Sequence, residues 1–309
     1  MKLPELIETI DMFYGPPLTV VSDCLRGFLR AAPCHKFIAA DFSAIEARVL
    51  AWLAGEERVL EVFRGHGKIY EAEAAGIYRV AMKDVTKAQR QIGKVAVLAL
   101  GFGGGVGAFQ SMAKNYGVKV PDAQADEIKK AWRLNNPNIV NYWYGLENAA
   151  KQAILRPGAK FYAGHKDRQV CYLFKGSFLW CKLPSGRVIC YPYPKIESKE
   201  TPWGEMKDTI TYVSEDSVTR VWDRQKTYGG SLSENVTQAV SSCLLREAML
   251  RLEEKNYHIV MHVHDEIVCE VPEDFGSVSE MEKIMSEVPA WAKGLPISAE
   301  GWEGQRFRK

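Results

Sequence analysis

Two acidic positions are the chain's strongest candidates for chemistry. The first is Asp265-Glu266, within His262-Val263-His264-Asp265-Glu266-Ile267-Val268. Apolar residues run up to it (Ile259, Val260, Met261) and away from it (Ile267, Val268, Val271), which predicts two strands folded back at Asp265-Glu266. Two-residue hairpin turns need positive φ and favour Asn-Gly, Asp-Gly or a glycine. Adjacent carboxylates are a poor choice there, and a metal ion shared with a distant carboxylate would explain them. The second position is Asp41, which ends the apolar run Phe37-Ile38-Ala39-Ala40. Alone it reads as a surface acid at a strand end. Paired with Asp265 it could hold two Mg²⁺ ions ~3.5–4 Å apart, a clamp for in-line displacement at phosphorus. Mg²⁺ is held by one or two carboxylates plus substrate phosphates, which two Asp residues suit.

Other polar residues have structural readings beside the functional ones. Ser43-Ala44-Ile45-Glu46 has the S-x-x-E pattern of a capping box, in which Glu46 would bond back to the backbone at Ser43. Arg90, Lys94, Leu98 and Phe102 recur every four residues and form a slowly spiralling stripe, each step turning ~40° past a full circle. Basic pairs at this spacing are usually solvated. Here the opposite face (Ile92, Val95, Ala96, Ala99) is apolar and the helix runs into Gly101-Phe102-Gly103-Gly104-Gly105, as suits a helix closing on a flexible hinge over a polyphosphate. No G-x-x-x-x-G-K-[ST] loop exists. His262 and His264 would share a strand face, but no cysteine or third histidine has the spacing to complete a zinc site.

The elements that must position these residues alternate irregularly. The 309 residues, 47% hydrophobic and 25% charged, describe a globular chain of one large or two ordinary domains. No apolar run is long enough to span a membrane, and the N-terminal residues lack the core of a signal peptide. Seven cysteines without a C-x-x-C pair argue against a disulfide framework and a zinc ribbon, and fit reduced thiols in a cytoplasmic protein. The net charge of +2 decides nothing, but basic residues cluster at Lys83, Lys87, Arg90 and Lys94 and again at Arg306, Arg308 and Lys309. Helices are predicted over 4–13, 18–30, 44–54, 58–64, 68–78, 86–100, 123–134, 139–155 and 233–255. Strands are predicted at 36–41, at a hairpin over 178–191, and around Asp265. This order implies an α+β fold with a helical insertion.

Taken together, the motifs resemble the family A DNA polymerases. Asp41-Phe42-Ser43-Ala44-Ile45-Glu46-Ala47-Arg48 is similar to motif A of that family. Arg90-x-x-x-Lys94 with Phe102-Gly103 is similar to motif B, and His264-Asp265-Glu266 to motif C. The resemblance covers nearly the whole chain and is closest to phage-encoded forms. It implies a right-hand polymerase core. A palm would be built from 1–57 and 228–309, with an inserted, mainly helical fingers subdomain over 58–227 that holds motif B (about 86–103) and a β-hairpin region (158–225). Motif A starts too near the N-terminus to leave room for thumb or exonuclease domains.

What the resemblance implies for the site is specific. Asp41 and Asp265 would hold two Mg²⁺ ions (Mn²⁺ able to substitute) with the Phe42 carbonyl as a third protein ligand, and Glu266 would stand beside them. Glu46 would be a steric gate against the ribose 2′-OH. Arg90 and Lys94 would neutralise the triphosphate, and Phe102 would sit at the templating base. Gln238 would contact primer–template DNA, a set to which His264 and Arg26 are added. Two positions depart from the pattern. Leu98 stands where an aromatic residue usually meets the incoming sugar, and Tyr70 where many members have a phosphate-binding histidine. The expected activity is template-directed DNA synthesis from dNTPs in the cytoplasm, that of the host for a phage-encoded form, with a separate chain able to supply the thumb and exonuclease. The alternatives are a non-catalytic or split-subunit DNA-binding fragment and a two-metal nuclease.

Overall fold

The computed structural model describes residues 3–200, 204, 206–216 and 218–308, so Lys309 of the basic terminus lies outside the described residues. The chain begins with helices α1 (Leu3–Tyr14) and α2 (Pro17–Phe28), separated by Gly15 and Pro16, then strand β1 (His35–Phe42). Helices α3 (Ile45–Ala54), α4 (Glu57–Arg64), α5 (Ile69–Tyr78), α6 (Lys87–Leu100), α7 (Val106–Asn115), α8 (Asp122–Asn135) and α9 (Pro137–Leu155) follow. Strands β2 (Lys160–Ala163), β3 (Val170–Lys175), β4 (Phe178–Lys182), β5 (Val188–Pro192), β6 (Lys195–Glu200), β7 (Met206–Glu215) and β8 (Trp222–Thr227) come next. The chain closes with α10 (Gly229–Glu254), the hairpin β9 (Ile259–Val263) and β10 (Glu266–Pro272), α11 (Val278–Met285) and β11 (Ala299–Gly304). The fold is α+β, and the named strands pair antiparallel throughout.

Two compact units divide the chain: Met1–Ser43, Leu245–Glu287 and Ser298–Lys309 form the first, Ala44–Leu244 and Val288–Ile297 the second. The first holds a four-stranded sheet in the order β11-β1-β10-β9. Side chains two apart on a strand share a face. Phe37 and Ala39 of β1 therefore point the same way as Asp41, and they pack with Val268, Ala31, Phe307, Met261 and Trp302. The remaining β1 residues Ile38, Ala40 and Phe42 are buried as well. Helix α11 starts where the Ser277 hydroxyl accepts the Glu280 amide, and it buries Met281, Ile284 and Met285. In α1 and α2 no residue is buried.

The second unit is organised by buried polar anchors as much as by apolar contact. Helix α3 buries Val49 through Leu53 and stops at Gly55, whose φ of 72° only glycine adopts without strain. The next residue, Glu56, accepts the Asn138 amide at 2.9 Å and the Ile139 amide at 3.4 Å, satisfying two orphan donors at the start of α9. Buried Glu73 takes Arg58 and Asn136 together. Helix α6 opens with a capping box, Thr86 and Gln89 bonding each other's backbone. It buries Ile92, Gly93, Val95 and Ala96, the apolar face anticipated from the sequence, while Ala99 is only half-buried. A side chain at Gly93 would put its Cβ 2.1 Å from the Tyr70 carbonyl oxygen, so this glycine sets how closely α5 approaches α6. The glycine run after α6 is a pinned turn and not a loose hinge. The Gly101, Phe102 and Gly104 carbonyls accept hydrogen bonds from Trp143, Tyr228 and Arg133.

Candidate active site

Strands β1 and β10 bring the predicted carboxylates together, with one correction at the tip. Val263 pairs with Glu266, so the two turn residues are His264 and Asp265 and not Asp265 and Glu266. The positive φ that such a turn demands falls on His264, at 56°. Histidine is among the residues enriched in this left-handed region. Glu266 is therefore the first residue of β10, and it is buried. His262 lies in β9 and His264 in the turn, so they do not share a strand face.

Across the ladder Asp41 stands opposite Glu266, and on its other side opposite Glu300 of β11. The Phe42 amide donates to the Asp265 carbonyl at 3.3 Å, which ties the end of β1 to the turn. Asp41 and Asp265 are both half-buried. Among the described residues no group of three or more His, Cys, Asp or Glu side chains gathers to hold a metal ion. The donors at this corner are Asp41 and Asp265, with Glu266 and Glu300 opposite Asp41 in the ladder, and main-chain carbonyls. That set is all oxygen, as suits a hard ion that keeps water and substrate oxygens in its shell. Glu300 was not anticipated: it lies in a short strand whose sequence, Ala-Glu-Gly-Trp-Glu-Gly, shows no apolar alternation.

Glu46 is exposed in the first turn of α3. The predicted capping box does not start this helix. The N-cap residue is Ala44, left-handed at φ 49°, and no side chain caps it. Ser43 lies one residue earlier, and its amide donates to the Ser298 carbonyl at 2.9 Å.

In the second unit three predicted residues meet. The Arg90 guanidinium lies 5.5 Å from the centre of the Tyr70 ring and the Lys94 ammonium 6.0 Å from it. Lys94 also lies 4.6 Å from the centre of the Tyr116 ring, an aromatic partner that the motifs did not indicate. Arg90 donates from Nε to Glu71 at 2.8 Å. Burial is the largest single influence on the Glu71 carboxyl and raises it, but the Arg90 hydrogen bond, the backbone amide and the charges of Arg90 and Lys68 together hold the group below its ordinary value. Burial raises the Tyr70 hydroxyl, with Tyr116 adding to the effect. Leu98 and half-buried Phe102 continue along the same stretch, and Gln238 is exposed on α10.

In the first unit Arg26 lies 6.0 Å from the centre of the Phe307 ring. The Arg306 guanidinium donates to the Gly27 carbonyl at 2.7 Å, and Arg30 bridges Arg306 in antiparallel fashion. The C-terminal basic residues therefore join those at the end of α2.

Known proteins resemble this chain in sequence and in fold. The family description "DNA polymerase family A" matches residues 19–156. A DNA polymerase of Bacillus phage SP02 is 42% identical over 306 residues, 98% of this chain and 46% of the phage protein. DNA polymerase I of Pseudomonas aeruginosa is 39% identical over 91 residues, 29% of this chain and 10% of that one. The chain thus spans less than half the length of these relatives. Among solved structures, the POL domain of Pol1 from M. smegmatis, in complex with DNA primer-template and dNTP, superimposes with a TM-score of 0.56. That match has 16% identity and covers 91% of this chain and 42% of the other, a likeness of fold. From the matched family description, the near full-chain similarity to a phage polymerase and the shared fold, the chain is a relative of the family A DNA polymerases.

Proposed function

We propose that the chain carries out template-directed DNA synthesis, joining a dNTP to a primer 3′-OH with release of pyrophosphate. The observation that supports this reading is the corner where β1 meets the His264-Asp265 turn, because the Phe42 amide bonds the Asp265 carbonyl and so ties the strand end that carries Asp41 to the turn that carries Asp265. Asp41, Asp265 and the Phe42 carbonyl would hold two Mg²⁺ ions. When bound, such ions lower the pKa of the attacking hydroxyl and stabilise the charge that builds at phosphorus. The two carboxylates orient the reacting oxygens, and Glu266 stands beside them, buried opposite Asp41 in the ladder. Arg90 and Lys94 take up the negative charge of the triphosphate, with Tyr70 packed between them as a positioning ring. Glu46 excludes the 2′-OH, Leu98 and Phe102 line the nucleotide, and Gln238, His264 and Arg26 contact DNA. In this reading the palm comprises 1–57 and 228–309 and the fingers 58–227, and a separate chain can supply thumb and exonuclease functions.

Primer extension with Mg²⁺ tests the proposal, run once with dNTPs and once with NTPs. Extension with dNTPs that disappears in Asp41→Ala and Asp265→Ala is the expected result. Strand cleavage without extension would point to a nuclease, and neither activity to a non-catalytic or split-subunit fragment.

A further inference from the structure

The sheet β2-β3-β4-β5 has one buried face and one open face, and the open face repeats a pattern. Val170, Tyr172, Leu179, Cys181 and Tyr191 are buried. Their strand neighbours therefore point outward. The register sorts the outward residues into three cross-strand rows. In the first, Tyr162 shares a row with Lys182 by way of Cys171. In the second, Lys160 shares a row with Trp180 by way of Leu173. In the third, Lys175 stands opposite Phe178. Each row presents one aromatic ring and one ammonium, and successive rows lie about 6.6 Å apart along the strands.

Charge and exposure fit the same reading. From Arg156 to Lys195 the chain carries eight Lys and Arg and a single acid, Asp167, against a net charge of +2 for the whole sequence. Lys160, Lys175 and Lys182 are exposed, and none makes an ion pair among the described residues. Tyr162 is 56% exposed. The Phe178 and Trp180 rings lie 5.3 Å apart and tilted, and Tyr193 extends them, its ring 6.4 Å from that of Phe178. A second copy of this face would set lysines against lysines, so self-association does not suit it.

We propose that the open face of this sheet binds single-stranded DNA, its rings stacking on unpaired bases and its lysines meeting the phosphates. Unpaired bases offer the flat faces that a duplex hides, and stacking of this kind tolerates any sequence. The proposal goes beyond the polymerase reading and does not depend on it, because binding is read without nucleotide or metal.

The test is fluorescence anisotropy of a labelled oligothymidylate in EDTA across a salt series. The combined Lys160→Glu, Lys175→Glu and Lys182→Glu variant is expected to weaken binding and to flatten the salt dependence by about two units, at ~0.7 per phosphate. Trp180→Ala is expected to weaken binding about fivefold or more. Ultraviolet crosslinking of the oligonucleotide should label peptides holding Tyr162, Phe178 or Trp180. Should Trp180→Ala unfold, the lysine variant still decides, its folding checked by circular dichroism. Unchanged affinity and salt slope in a folded lysine variant would overturn the proposal. So would a dimer in sedimentation that the same substitutions dissolve.

Discussion

Asp41 and Glu266 face each other across β1 and β10, two carboxylates opposed in an antiparallel ladder, with Glu300 on the far side of Asp41. Like charges directly opposite destabilise a sheet, by roughly 0.2–1 kcal/mol for a pair. The row is therefore arranged at some cost to the fold. Asp41→Asn should lower the extension rate by more than about a hundredfold, beyond the 10–100-fold typical of residues that only support a metal ligand. The same substitution should leave the melting temperature equal or higher. A variant with lost activity and a lower melting temperature would show that Asp41 holds the sheet together and not the reaction.

Gly93 lets α5 lie against α6, and through that contact places Tyr70 beside Arg90 and Lys94. Gly93→Ala should push the helices apart and cost about 1–3 kcal/mol of stability, as overpacking does. Urea denaturation measures this. A midpoint equal to wild type would mean that α5 moves aside freely.

The Glu71–Arg90 pair has a defined pH dependence. The folded Glu71 carboxyl lies below its ordinary value of 4.5, because burial, the largest single influence, is outweighed by the Arg90 hydrogen bond, the backbone amide and the Arg90 and Lys68 charges acting together. Its contribution to stability is thus present above about 4.5 and is lost as pH falls through the lower folded value. Both side chains are partly exposed, so the amount is under ~1 kcal/mol. Glu71→Gln should remove that part of the acid-side slope while leaving neutral stability nearly unchanged. Arg90→Ala should raise the KM for nucleotide more than it lowers kcat, and equal effects on both would argue against a ground-state phosphate contact.

Thiol reactivity should divide the cysteines by burial. Cys24, Cys34 and Cys190 are exposed, whereas Cys181, Cys243 and Cys269 are buried. Burial pushes the Cys181 and Cys269 thiols up to about 12. Native protein at pH 8 should therefore label rapidly at the three exposed thiols, and Cys181 and Cys269 should react only after unfolding. Rapid labelling of Cys269 in native protein would show that the sheet carrying Asp41 opens locally.

The site was legible because its residues have unusual local contexts. Asp41 ends an apolar run, and Asp265 interrupts one. The turn itself was misplaced by one residue, since an apolar pattern locates a hairpin but not which side chain takes positive φ. The glycines at the start of α7 (Gly105 at the N-cap and Gly107 in the first turn) hid a helix that forms through tertiary contact, burying Phe109 and Ala113. Strands β6 to β8 fall largely in the 158–225 region expected to hold β-hairpins, but are not distinguished individually in the sequence, for another reason. Glu197, Lys207, Asp208, Asp223, Arg224 and Lys226 give them no alternation, because little of this sheet is buried. Glu300 could not be placed beside Asp41 without the register, which no local pattern encodes. Tyr116 is likewise a neighbour of Lys94 only in three dimensions.

The left-handed backbone of His264 has a consequence of its own. A glycine would occupy that φ without steric conflict, while an L side chain there costs roughly 1–2 kcal/mol. The tip of the β9–β10 hairpin thus holds stored backbone tension next to Asp265, at the position where the turn demands positive φ. His264→Gly should yield a more relaxed and more stable hairpin, with Asp265 as the turn's remaining side chain. At this position stability and the proposed DNA contact pull in opposite directions.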